Sequence, residues 1–146
     1  MATTTVDQNK ELVRRDIEEI WNEGNYDLVD ELYAADFVHH DPSYPGEVRG
    51  PDAQKEFIRM YNETFQGSPS LTIEEVMAEG DLVTVRWTGR GTHEEPFMGI
   101  DPTHEDIEVS GMTLARMEDG QFAEMWTNYD ALGMLQQIGA VDAPTG

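Results

Sequence analysis

The sequence predicts an α+β fold in which three helices pack on one side of a strongly bent antiparallel sheet. Three observations predict it. Apolar residues keep helical spacing through most of residues 7–66, whereas residues 71–129 are patterned as strands; helices followed by a run of strands is an α+β order. The tetrapeptide Glu118-Asp119-Gly120-Gln121 separates two long strand patterns, and Asp-Gly suits a two-residue hairpin tip, where both central residues need positive φ. Gly89, Gly91 and Gly111 interrupt strand patterns where a long strand would bend. A sheet bent that far, closed at one end and covered by helices, leaves an internal cavity, a normal place for a small ligand.

Taken in order, residues 1–6 read as a loose leader to one domain spanning 1–146. Leu12, Val13, Ile17, Ile20 and Trp21 fall on one face of a helix from about Asp7 to Glu23, with acids on the other face, and Gly24-Asn25 ends it. Asp27 can cap a short second helix with Leu28, Val29, Leu32 and Tyr33 on one face. Phe37–His40 reads as a short strand and residues 41–50, rich in Pro and Gly, as a loop. Pro51 opens a third helix presenting Phe57, Ile58, Tyr61 and Phe65, which Gly67-Ser68-Pro69 stops. Strands follow over 71–78 and 82–91, then a loop over 92–106 holding Pro96 and Pro102. The hairpin 107–117 and 122–129 comes next, then a short helix from Ala131 to Ile138 that stops at Gly139.

Composition narrows the function. Thirty Asp and Glu against nine Lys and Arg give a net charge of −21, and Lys10 and Lys55 are the only lysines. Such a surface repels nucleic-acid phosphates and anionic membranes. Scarce lysine beside abundant acid points to a high-salt interior, where screening relieves self-repulsion. The absence of Cys excludes disulfides and thiolate metal sites. No apolar run reaches signal-peptide or transmembrane form, so a cytoplasmic location is expected. His39-His40-Asp41 superficially resembles a ligand cluster, but adjacent strand residues point to opposite faces and do not readily share one ion, so neither metal nor cofactor is expected.

Five stretches carry a family resemblance: Phe37-Val-His-His-Asp-Pro42, Val85-Arg-Trp-Thr-Gly-Arg-Gly-Thr-His93, Phe97-Met-Gly-Ile-Asp-Pro-Thr103, Arg116-Met-Glu-Asp-Gly-Gln-Phe-Ala-Glu-Met-Trp126 and Asp130-Ala-Leu-Gly-Met-Leu-Gln-Gln-Ile-Gly139. Over roughly residues 9–141 the chain resembles the SnoaL-like polyketide cyclases, within the wider NTF2-like cone folds. The resemblance implies the cone, an internal pocket, a homodimer formed through the outer face of the sheet, and cofactor-free acid/base chemistry that closes rings by an intramolecular aldol step. The family pattern places an Asp directly after the last-strand Trp and a His three residues before the preceding strand's Arg. This chain carries Thr127 and Thr113 there.

Asp130 and His40 are therefore the candidate acid/base groups. Asp130, directly after a strand and before Ala-Leu-Gly, also suits a helix N-cap. Trp21, Tyr61, Arg86, Trp87, His93, Thr113, Trp126, Thr127 and Asn128 are candidate pocket residues. Of Arg86 and Trp87, alternation sends one into the cone, and an outward Arg86 suits a cross-strand ion pair. Two functions from different classes follow. One is an enzyme acting on a small, largely apolar carbonyl compound, of cyclase or isomerase type; the other is a non-catalytic protein that binds a small apolar or aromatic molecule. An epoxide-hydrolase-like site would further require two acids flanking an inward Arg. An inward carboxylate with a partner in hydrogen-bond reach favours the enzyme, and a dry, wholly apolar pocket favours the binder.

Overall fold

The computed structural model describes residues 5–142. Most of the expected leader lies outside them, but Thr5 is the N-cap and Val6 the first residue of the first helix. Helix α1 (Val6–Arg15) starts from a capping box: the Gln8 N–H donates to Thr5 Oγ1 at 3.1 Å and the Thr5 N–H donates to Gln8 Oε1 at 2.8 Å. Asp7 in its first turn and Arg14 and Arg15 in its last complement the helix dipole. The helix runs on as a π-helical segment, Asp16–Asn22, which buries Asp16, Ile17 and Ile20. A 3-10 turn (Tyr26–Leu28) and the short α2 (Val29–Leu32) lead into β1 (Tyr33–His40). This strand is four residues longer than the sequence reading, because Tyr33 turns from helix to extended backbone.

Two-residue β2 (Val48–Arg49) precedes α3 (Gly50–Thr64), which buries Gln54, Phe57 and Ile58. Then come β3 (Phe65–Gln66), β4 (Leu71–Glu79), β5 (Leu82–His93), β6 (Asp106–Glu118), β7 (Gln121–Tyr129) and α4 (Ala131–Gln137). The β6–β7 hairpin turns at Asp119 (φ 54) and Gly120 (φ 78), the two positive values a type I′ tip requires.

The strands form a mixed, bent sheet in the order β2-β1-β7-β6-β5-β3, with β4 also on β5. Its pairs are antiparallel except β1 with β7, which run parallel and bring His39 beside Met125 and His40 beside Trp126. That pairing departs from the expected all-antiparallel sheet. A parallel neighbour needs a long crossover rather than a hairpin, and no local pattern in β1 announces its partner.

Two apolar clusters pack between sheet and helices. One gathers Ile20, Tyr33, Phe37, Ile58 and Phe122. The other gathers Phe65, Phe97, Ile107, Val109, Met134 and Ile138. Among the described residues no helix is long and apolar enough to cross a membrane.

Candidate functional site

A cavity of about 110 Å³ draws its walls from both clusters. At ~10–15 Å³ per water, it has room for roughly seven to eleven waters, or a ligand of about ten non-hydrogen atoms. Its wall is mostly apolar: Val13, Ile17, Phe57, Val85, Ala115 and Met125 contribute.

Strand alternation decides which polar groups enter. On β5 it sends Val85, Trp87 and Gly89 inward and Arg86 outward, where the guanidinium Nε lies 2.8 Å from Glu75 Oε1 on β4. On β6 it brings in Thr113, and on β7 Thr127 and Tyr129. The β6 glycine at 111 matters here: a Cβ there would lie 2.3 Å from the Trp87 ring. The missing side chain is the space the indole occupies as it turns into the cavity, so this glycine makes room for a ring rather than merely bending a strand.

Two polar groups of side chains interrupt the apolar wall. The first is a continuous chain. Trp87 Nε1–H donates to Thr113 Oγ1 at 3.1 Å, and Thr113 Oγ1 and Thr127 Oγ1 lie 2.9 Å apart. Thr127 Oγ1 is 2.8 Å from His39 Nε2, and His39 Nδ1 is 3.0 Å from Gln54 Oε1. Gln54 Nε2 donates to the Tyr33 hydroxyl at 3.3 Å, and that hydroxyl donates to Asp16 Oδ1 at 2.5 Å. His39 and Asp16 are both almost fully buried. Burial pushes the Asp16 carboxyl up to about 7, against the opposing Tyr33 hydrogen bond. Burial lowers His39 to about 4, against the Gln54 hydrogen bond. His39 is therefore a neutral imidazole near pH 7.

The second group sits where β1 ends. Asp41 Oδ1 accepts from the Ser43 N–H at 2.8 Å, and its Oδ2 lies 3.4 Å from the Tyr61 hydroxyl. Tyr61 and Tyr129 hydroxyls are 3.0 Å apart. Burial holds the Asp41 carboxyl above the ordinary range despite the hydrogen bonds from Ser43 and Tyr61, and burial raises both phenols.

Of the candidates named from sequence, Trp21, Tyr61, Trp87, Thr113 and Thr127 line the cavity. The others do not. Asp130 is exposed, and its Oδ1 accepts from the Gly133 N–H at 2.8 Å, so the carboxylate caps α4 instead of entering the cavity. His40 points outward, 2.7 Å from Glu124 Oε2, with its ring stacked on Trp126, so that residue also leaves the cavity. Asn128 is exposed on the same outer face. His93 is buried against the Phe65 ring outside the cavity wall. Its Nδ1 accepts from the Thr103 N–H at 3.3 Å, and its Nε2 has no hydrogen-bond partner among the described residues.

The sequence reading of the site missed Asp16, His39, Asp41, Gln54 and Tyr129. Two carried a signal: Asp16 falls between Val13 and Ile20 on the apolar stripe of its helix, and Gln54 precedes Phe57 and Ile58 on another. A polar residue on a buried stripe must find a partner there. Among the described residues no group of three or more His, Asp or Glu could hold a metal ion.

A sequence profile described as SnoaL-like polyketide cyclase matches residues 11–138. No curated protein matches the sequence. Among solved structures, the chain is similar to a protein assigned as a SnoaL-like polyketide cyclase from Jannaschia sp. CCS1, with 29% identity and a TM-score of 0.83 over 97% of this chain and 99% of that one. It is similar to TsrD from Streptomyces laurentii, with 27% identity and a TM-score of 0.82 over 94% and 99%. It is also similar to IdmH from Streptomyces antibioticus, assigned as a polyketide cyclase, with 30% identity and a TM-score of 0.76 over 90% and 99%.

Proposed function

The chain belongs to the SnoaL-like polyketide cyclase family, and from that premise we propose that it is a cyclase- or isomerase-type enzyme acting on a compact, largely apolar carbonyl compound with its own side chains as acid and base. One observation carries the reading: the carboxylate of Asp41 and the paired hydroxyls of Tyr61 and Tyr129 meet at one end of a mostly apolar cavity.

The chemistry follows from those groups. Asp41 takes a proton from the carbon next to the substrate carbonyl. Its raised pKa makes it a stronger base than a solvated carboxylate. The Tyr61 hydroxyl, which donates to Asp41 Oδ2 across 3.4 Å, turns to donate to the carbonyl oxygen as the negative charge moves there, and Tyr129 lies beside it at 3.0 Å. The enolate carbon then either attacks a second carbonyl of the same molecule, closing a ring while the Asp41 proton passes to the new alkoxide, or the enolate regains that proton from Asp41 at another carbon. The walls exclude water and hold the two carbons in attack geometry. Thr113 and Thr127, standing where the family pattern has His and Asp, are not acid/base groups in this scheme.

Acetophenone, with nine non-hydrogen atoms against the roughly ten the cavity has room for, is a fitting probe. The native protein exchanges its methyl protons for deuterium, read by NMR, and Asp41→Asn lowers that rate about 10²–10⁴-fold with the fold intact. Equal exchange by native and variant protein would falsify Asp41 as the base. Binding without any exchange selects the second reading, a non-catalytic binder, which the Thr113–Thr127 pair favours.

Residues 1–146 act as one domain in a high-salt cytoplasm, as a homodimer joined through the outer face of the sheet. On that face Met112 is 52% exposed.

A further inference from the structure

We propose that Thr113 and Thr127 form a hydrogen-bond-accepting subsite in the cavity, polarised in that sense by the Asp16 carboxylate at the far end of the chain, and that this subsite receives a phenol or enol hydroxyl of the ligand. The inference adds a substrate class to the proposed function and rests on the same cavity.

The direction of the chain is fixed at its two ends. At one end an indole N–H can only donate, so Thr113 accepts from Trp87. At the other, Asp16 is ionised above about pH 7 and its carboxylate can then only accept, so Tyr33 spends its single hydroxyl hydrogen on Asp16. The Tyr33 oxygen can then only accept from Gln54, which turns the amide N–H of Gln54 toward Tyr33 and its carbonyl toward His39. His39 is neutral, so its one N–H is the Nδ1–H facing Gln54, and its Nε2 accepts. Thr127 must therefore donate to His39, and Thr113 must donate to Thr127.

Every indole, hydroxyl and imidazole hydrogen in the chain is then committed between Trp87 and Asp16. Each threonine oxygen has accepted one hydrogen bond and given one, and keeps one lone pair. The wall at Thr113 and Thr127 offers the ligand acceptors and no donor. A ligand hydroxyl fits there. A ligand carbonyl or ether oxygen meets a lone pair with no hydrogen between, which leaves both unsatisfied. At the Asp41 end the Tyr61 hydrogen is held only by a 3.4 Å contact with Asp41 Oδ2 and can turn to a ligand carbonyl, so the two ends of the cavity prefer opposite ligand groups. A compound with a hydroxyl at one end and a carbonyl at the other, such as an aromatic or enolic hydroxy-ketone, satisfies both.

The test is a binding measurement that needs no turnover, so it fails or succeeds independently of α-proton exchange. Phenol, anisole and toluene are titrated at pH 8.5 in molar KCl, with occupancy read from the Trp87 indole N–H resonance. Phenol is expected to bind at least tenfold tighter than anisole, whose oxygen cannot donate. In a Thr113→Val, Thr127→Val double variant the preference should collapse to within about twofold while toluene binding is kept. Asp16→Asn, which removes the charge that fixes the direction, should cut the preference several-fold. Equal affinity of the wild type for phenol and anisole overturns the proposal without any variant. A preference that survives the double valine variant overturns the subsite, and one untouched by Asp16→Asn overturns the polarising role of Asp16.

Discussion

At the scale of single residues, Asp16 and His39 pull stability in opposite directions with pH. The pKa of Asp16 is raised from 3.8 to about 7 in the fold, so unfolding releases its proton between roughly pH 4 and 7. Stability from this group falls as pH rises through that window, and the full penalty of the buried charge is present above about 7. The pKa of His39 is lowered from 6.5 to about 4, so unfolding takes up a proton over nearly the same range and stability from this group rises with pH. At about 1.4 kcal/mol per unit, the opposing contributions are roughly 4 and 3 kcal/mol and largely cancel. Asp16→Asn should unmask the histidine: its stability relative to wild type, from urea unfolding, should grow by a few kcal/mol from pH 4 to 7. A constant difference across that range would mean Asp16 is not buried as an acid. The sequence made part of this pair legible. Alternation correctly implied that only one of His39 and His40 enters the cavity, but it does not say which. Parity is set by β1 pairing with a strand more than 80 residues away. The same parity sends Trp126 and Asn128 out together when Thr127 comes in, so all three could never have shared the pocket.

At the scale of elements, the hairpin and the last helix could be read in advance because their signals are local. Asp119-Gly120 needs only its own two φ angles, and α4 needs only a cap at Asp130 and a stop at Gly139 (φ 81). Longer-range facts were not legible: the first helix continues as a π segment, β1 extends back to Tyr33, and β1 and β7 run parallel. Each depends on what packs against the element rather than on what it contains. The cap gives a test at this scale. Asn accepts the Gly133 N–H nearly as well as Asp, so Asp130→Asn should change stability by only a few tenths of a kcal/mol, while Asp130→Ala should cost about 1 kcal/mol. Neither should alter ligand binding, since the carboxylate lies outside the cavity. Loss of binding in Asp130→Asn, with melting unchanged, would return Asp130 to the list of site residues.

At the scale of the whole molecule the dominant quantity is charge. Thirty acids and nine bases leave −21 on 146 residues, and what cations there are sit mostly in exposed pairs, such as Arg86 with Glu75, Arg90 with Glu108 and Arg49 with Glu47. Exposed pairs of this kind contribute little and are weakened by salt. They therefore do not offset the repulsion among the acids they leave unpaired. The Debye length shrinks from ~30 Å at 0.01 M to ~3 Å at 1 M, so molar salt removes repulsion across the molecule while costing only those weak pairs. The melting temperature should rise markedly from 10 mM to 1 M KCl, and sedimentation at the higher salt should give a dimer, because two copies at −21 each can approach only when screened. NaCl should act as KCl does if screening is the cause. A flat melting profile would mean that the acids are an ordinary solvated surface with no adaptation to salt. A monomer at 1 M KCl would remove the proposed pairing of sheets while leaving the cavity and its chemistry untouched.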